Sequence, residues 1–132
     1  MATHWTLGCD AQDPQRQATF WAAALGYVRE PGFEEPDAAS IIDPDGVGPA
    51  IGWLRVPEAK TAKNRLHLDL RVAGEPPWDW PARAELIRAK VEELQGLGAR
   101  AVREEVYADE GGRTILGHVV MHDPEGNEFC VA

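Results

Sequence analysis

The chain has 132 residues, the size of one domain, and 44% of them are hydrophobic, enough for a core. Its 22 acidic against 13 basic residues leave a formal charge of −9, which excludes nucleic acid and an anionic membrane surface as natural partners and tolerates a neutral or cationic small ligand. No apolar run approaches the ~20 residues needed to cross a bilayer, and the opening MATHWTLG has neither a basic nor an apolar signal region, so the expectation is a cytoplasmic protein.

Residues 3–9 alternate apolar with polar or small side chains and predict a first strand. Asp13 follows as a helix cap, with Pro14 in the first turn and Gly26 at the end; Phe20, Trp21, Ala24 and Leu25 share the face expected to bury. Tyr27–Glu30, Ala39–Asp43 and Ile51–Val56 read as short strands between Pro- and Gly-rich turns. The polar stretch 57–65 reads as a link. In the strand predicted at Leu66–Val72, Leu66, Leu68, Leu70 and Val72 point one way, and His67, Asp69 and Arg71 the other. A loop carrying Trp78 and Trp80 leads to a helix capped by Asp79, with Leu86, Ile87, Val91 and Leu94 as its buried stripe. Strands near 101–107, 115–122 and 127–131 finish the chain. Cys9 shares a face with Trp5 and Leu7, and Cys130 faces away from Phe129 and Val131. Both are expected as free thiols in a reducing compartment.

This order is a repeat. His4 and His67 open matching strands, Leu25-Gly26 and Leu97-Gly98 end matching helices, and Asp43-Pro44-Asp45-Gly46 and Asp123-Pro124-Glu125-Gly126 form matching turns. The expected domain therefore has module one at about 1–56, a link at 57–65 and module two at about 66–132. By strand parity His4, Thr6 and Gly8 in one module, and His67, Asp69 and Arg71 in the other, lie on the sheet faces turned away from the helices, as do Glu128 and Cys130 on the last strand. Trp5 and Trp21 are expected in the core. Trp53, Trp78 and Trp80 are the aromatic candidates for walls of a small-molecule pocket.

The segments DPQRQATFWAAALGY at 13–27, NRLHLDLRV at 64–72 and DPEGNEFCVA at 123–132 together resemble the glyoxalase / bleomycin resistance protein / extradiol dioxygenase group, the vicinal oxygen chelate superfamily, over essentially the whole chain. The last segment is the most specific of the three. The resemblance implies an α+β fold in which two βαβββ modules form a curved mixed sheet, a cup with helices on its outer face. It also implies a site where the first and last strands of each module would hold one divalent metal.

Carried over position by position, the family's ligands fall on Thr6, on Gly52 or Leu54, on His67, and on Cys130, where metal-binding members have Glu. Thr6 is a poor donor, and Gly52 and Leu54 offer none. The implied set is one good ligand and one chemically usable one, short of the three protein ligands typical of a catalytic centre. No metal or other cofactor is expected; if one binds, His67 with Cys130 would hold Ni, Zn, Fe or Mn. Glu128, His118 and His122 are nearby alternatives whose plainer reading is exposure to solvent, the two histidines flanking a hairpin turn.

The function implied first is binding of a small-molecule ligand, sequestering a drug or metabolite as the family's metal-free members do. His67, Thr6, Trp53, Asp69, Cys130 and Glu128 would line the site. The alternative is a metal-dependent glyoxalase-type lyase, isomerase or dioxygenase with His67 and Cys130 as ligands; acting without metal, His67 would instead serve as general base and Cys130 as polar partner or nucleophile. Family resemblance also implies a homodimer, with exchange of modules across the link as one form of it.

Overall fold

The computed structural model describes residues 1–132 and divides the chain into two compact units, Met1–Thr61 and Ala62–Ala132. The first contains β1 (Leu7–Ala11), α1 (Pro14–Leu25), β2 (Val28–Arg29), β3 (Ala38–Ile42) and β4 (Ile51–Arg55). The second contains β5 (Asp69–Leu70), α2 (Trp80–Gly96), β6 (Arg100–Ala108), β7 (Thr114–His122) and β8 (Glu128–Val131). Each unit is a βαβββ module with a four-stranded mixed sheet, in the orders β1-β4-β3-β2 and β5-β8-β7-β6. The first strand of each module pairs in parallel with the last; the other pairings are antiparallel. The repeat read from the sequence is thus a repeat of topology.

The helices begin and end for local reasons. Asp13 accepts a hydrogen bond from the Arg16 N–H at 3.1 Å, and Gly26 closes α1 in the left-handed region at φ 72°. Asp79 caps α2 through the Ala82 N–H, also at 3.1 Å. The Asp-Pro-acid-Gly turn before β8 is built by a buried carboxylate. Asp123 Oδ1 accepts from the Glu125 and Asn127 backbone N–H groups, both carboxylate oxygens accept from Asn127 Nδ2, and Gly126 takes φ 87°. Asp43 gathers the N–H groups of Asp45, Val47 and Gly48 in the matching turn, which holds its carboxyl below the usual range.

In the first unit, register puts Ala39, Ile41, Ile51 and Trp53 on one buried sheet face, packed with α1 residues such as Ala18, Phe20, Trp21 and Ala24. In the second, Leu70, Val131, Phe129, Val119 and Met121 share the buried face, with Ile87 and Leu94 of α2 against it. No helix is long and apolar enough to cross a membrane.

Three sequence expectations need correction. β1 starts at Leu7, the first residue with a partner on β4, so His4, Trp5 and Thr6 precede the sheet; Trp5 is 61% exposed and is not core. The strand expected at Leu66–Val72 is paired only over its second half, and Leu66 is 82% exposed. Asn64 explains the early stop. β8 donates from Ala132 to Leu70 and from Cys130 to Leu68, but the next N–H, on Glu128, goes to the Asn64 side-chain oxygen at 3.0 Å. Asn64 Nδ2 in turn donates to the Leu66 carbonyl at 3.2 Å, so one amide takes both ladder positions.

The stripe of α2 also differs. Leu86 is 52% exposed, Val91 is half-buried, and the buried positions are Arg83, Ile87 and Leu94. Arg83 is tolerated there because one guanidinium nitrogen donates to the Leu116 and Gly117 carbonyls of β7, at 2.9 and 2.7 Å. The Trp78 and Trp80 rings lie 4.9 and 5.4 Å from the guanidinium carbon, which gives both tryptophans a structural role as partners of this cation.

Candidate functional site

The parallel pairing of β5 with β8 sets Asp69 opposite Cys130 and Leu70 opposite Val131. Leu70 and Val131 are core, so Asp69 and Cys130 share the opposite face. His67, two residues before Asp69, is on that face too, and its Nε2 lies 3.1 Å from Asp69 Oδ1. One ligand atom from each of His67, Asp69 and Cys130 falls within 4.8 Å of the other two. These three side chains, with Arg71, His118 and Ala132, line an open cavity of about 230 Å³.

The environments within the cluster are unequal. The His67 and Asp69 side chains are 48% and 55% exposed, whereas Cys130 is buried. Burial, then the Asp69 charge and a hydrogen bond to Asp69, push the Cys130 thiol up to about 11; Arg103 opposes the shift and Glu128 adds to it. At neutral pH Cys130 is therefore a protonated hydrogen-bond donor, not a nucleophilic thiolate.

The other sequence candidates fall elsewhere. Glu128 is at the start of β8, salt-bridged to Lys63 Nζ at 2.7 Å, and does not line the cavity. Thr6 is exposed ahead of β1 in the first unit, and Trp53 is 3% exposed among the core residues of β3 and β4. With Trp78 and Trp80 on Arg83, no tryptophan lines this cavity; its walls combine polar groups of His67, Asp69, Arg71 and His118 with about as much apolar surface.

His118, read from the sequence as an exposed residue flanking a hairpin turn, is in the middle of β7 and half-buried on the cavity wall. The signal was in the strand period. Val119 and Met121 are core, so His118, Val120 and His122 must share the other face, and register pairs Val120 with Cys130. His122 is further along that face, with Nδ1 2.9 Å from Arg100 Nη2. Both cysteines are free.

The profile of the Glyoxalase-like domain matches residues 6–132 of the chain. The chain belongs to the glyoxalase-like domain family. None of the curated proteins searched matches it by sequence. Solved structures similar to this glyoxalase-like protein include a glyoxalase/bleomycin resistance protein/dioxygenase family enzyme from Burkholderia phytofirmans PsJN, with TM-score 0.65, 16% identity, and coverage of 96% of this chain and 94% of that one. The fosfomycin resistance protein FosX from Listeria monocytogenes superposes with TM-score 0.67 at 11% identity, covering 99% of this chain and 90% of that one. A mutant of the same FosX, complexed with Mn(II) and 1S,2S-dihydroxypropylphosphonic acid, gives TM-score 0.65 at 10% identity with the same coverage. At these identities the likeness is one of fold, within the vicinal oxygen chelate superfamily.

Proposed function

We propose that this glyoxalase-like protein binds a small, polar, metabolite-sized molecule in the second unit, and that it does so in the cytoplasm without needing a metal. The observation that carries this reading is the cavity at β5, β7 and β8, where the side chains of His67, Asp69, Arg71 and His118 converge. Its volume, about 230 Å³, is below the ~300–1,000 Å³ typical of drug-sized sites, and its lining is suited to oxygen-bearing groups more than to a large aromatic natural product. Asp69 accepts from His67 or Cys130, His118 offers a donor or acceptor, and the Arg71 guanidinium supplies charge-assisted donors to a carboxylate or similar group.

A second reading, a metal-dependent lyase, isomerase or dioxygenase, is favoured by one observation, the three donor atoms of His67, Asp69 and Cys130 within 4.8 Å. A metal bound there would act as a Lewis acid on a substrate oxygen.

The test is thermal-shift screening of chelator-treated protein against small hydroxy acids, keto acids and phosphorylated or phosphonated metabolites. Isothermal titration then follows any hit in wild type, Arg71→Ala and His118→Ala. A ligand present at 100 times its Kd stabilises by about 2.7 kcal/mol, well within detection. Hits weakened about tenfold or more by either substitution support the reading. Hits indifferent to both substitutions place the ligand elsewhere and overturn it, as does a panel without hits.

A further inference from the structure

Leu116 and His118 stand two residues apart on β7, a spacing that puts both side chains on one face of a regular strand. They do not share a face. Glu105 and Val106 are consecutive on β6 and point opposite ways, and their register partners are His118 and Leu116. Gly117 is the residue left over. It makes a β-bulge that sends Leu116 into the core and leaves His118 on the cavity wall. We infer that Arg83 is the positioning residue of this site: by holding the carbonyls of the bulge it fixes the aim of His118, although it does not line the cavity itself. The role rests on ligand binding in the cavity as proposed above. The geometry behind it is tested in the ligand-free protein, so either can fail alone.

Hydrogen bonding supports the assignment. Consecutive carbonyls of a regular strand point to opposite edges, out of reach of one donor. Arg83 Nη1 nevertheless donates to the Leu116 carbonyl at 2.9 Å and to the Gly117 carbonyl at 2.7 Å. Both are therefore turned to one side, as the extra residue requires. The pairing of β8 with β7 stops at Val131 opposite Val119, so these two acceptors lie beyond it. Without the guanidinium they lose their partner, and twisting the bulge toward water is the way to regain one.

The clamp is held in place from both ends. The Trp78 and Trp80 rings support the guanidinium at 4.9 and 5.4 Å. Tyr107 closes over Gly117. A β-carbon at position 117 would lie 2.8 Å from Tyr107 Cδ2 and 3.2 Å from the Glu105 carbonyl oxygen, so glycine is the residue that fits the bulge. His118 is the next residue, and it stands opposite Glu105 beside that glycine. A bulge at this point re-aims the side chain that follows it.

The experiment compares histidine-ring NMR spectra of ligand-free wild type, Arg83→Lys and Trp78→Leu, each kept below its urea transition. The readout is the cross-peak from the His118 ring to the methyl group of Ala132, its neighbour across the β7–β8 register and on the cavity wall. His122, on the same face of β7 but within the paired ladder, is the internal control. In Arg83→Lys the shorter, unforked side chain does not span to both carbonyls. The His118 cross-peak is expected to fall severalfold and its ring signals to move, while those of His122 stay. A displacement of about 1 Å is enough, and it exceeds the ~0.5 Å within which a preorganised site must be held. Trp78→Leu keeps the guanidinium and removes one supporting ring. It is expected to give the same change to a smaller extent, and it carries the test if Arg83→Lys does not fold. An arginine with only a structural role would lower the urea midpoint and leave the His118 cross-peak intact, which overturns the assignment. Equal movement of His118 and His122 overturns it as well, since it reports a general loosening of β7.

Discussion

The substitution Asp69→Asn tests the electrostatics of the cluster directly. An ordinary thiol has its midpoint at 9.0, and that of Cys130 is raised to about 11. At pH 8 this lowers the thiolate fraction from about one-tenth to about one-thousandth, so alkylation is slowed about a hundredfold by protonation alone. Burial is the largest cause, and Asp69 contributes both a charge and a hydrogen-bond acceptor. Removing that charge therefore lowers the midpoint below 11 and leaves it above 9.0, because burial and Glu128 remain. Alkylation at pH 8 rises severalfold and stays short of about a hundredfold. The assay is iodoacetamide labelling of Cys130 read by mass spectrometry from about pH 7 to 11 in a Cys9→Ser background, with the midpoint, rather than the absolute rate, separating protonation from steric access. Stability follows the same titration. The folded thiol keeps its proton where the unfolded one has lost it, so its contribution is whole below about pH 9 and is lost as pH rises from about 9 to 11, up to ~3 kcal/mol. A wild-type midpoint near 9, or the same midpoint in wild type and Asp69→Asn, refutes the reasoning.

Two further predictions concern the supports of β7. Arg83→Lys keeps the charge but loses the planar group that reaches the Leu116 and Gly117 carbonyls and stacks near Trp78 and Trp80; it is expected to cost about 2–3 kcal/mol in urea denaturation, and a cost under about 0.5 kcal/mol would dismiss the clamp. Gly117→Ala puts a methyl against the Tyr107 ring, with ring atom Cδ2 at 2.8 Å and the Glu105 carbonyl at 3.2 Å. The half-exposed ring must swing off β7, for an expected loss of about 1–2 kcal/mol and an altered Tyr107 environment by NMR; an unshifted Tyr107 ring would contradict this.

The features legible in the sequence were those that short-range chemistry determines. Asp13 and Asp79 cap helices because a carboxylate two or three residues before an unsatisfied N–H is a local fact. Asp123-Pro124-Glu125-Gly126 makes its turn for the same kind of reason. Strand period separated Leu70 from Asp69, and family resemblance drew attention to His67 and Cys130. Only the tertiary structure decided what depends on partners distant in the chain. Asn64 ends the β5 ladder by capturing an N–H on β8, 64 residues away. Trp78 and Trp80 serve a buried arginine, an arrangement that exists only once α2 is laid on β7. Asp69 becomes a partner of Cys130, and His118 a wall of the cavity, through the register of β5, β8 and β7. Sheet register sets which side chains meet across strands, and a residue pattern along one strand carries no record of the strand that will lie beside it.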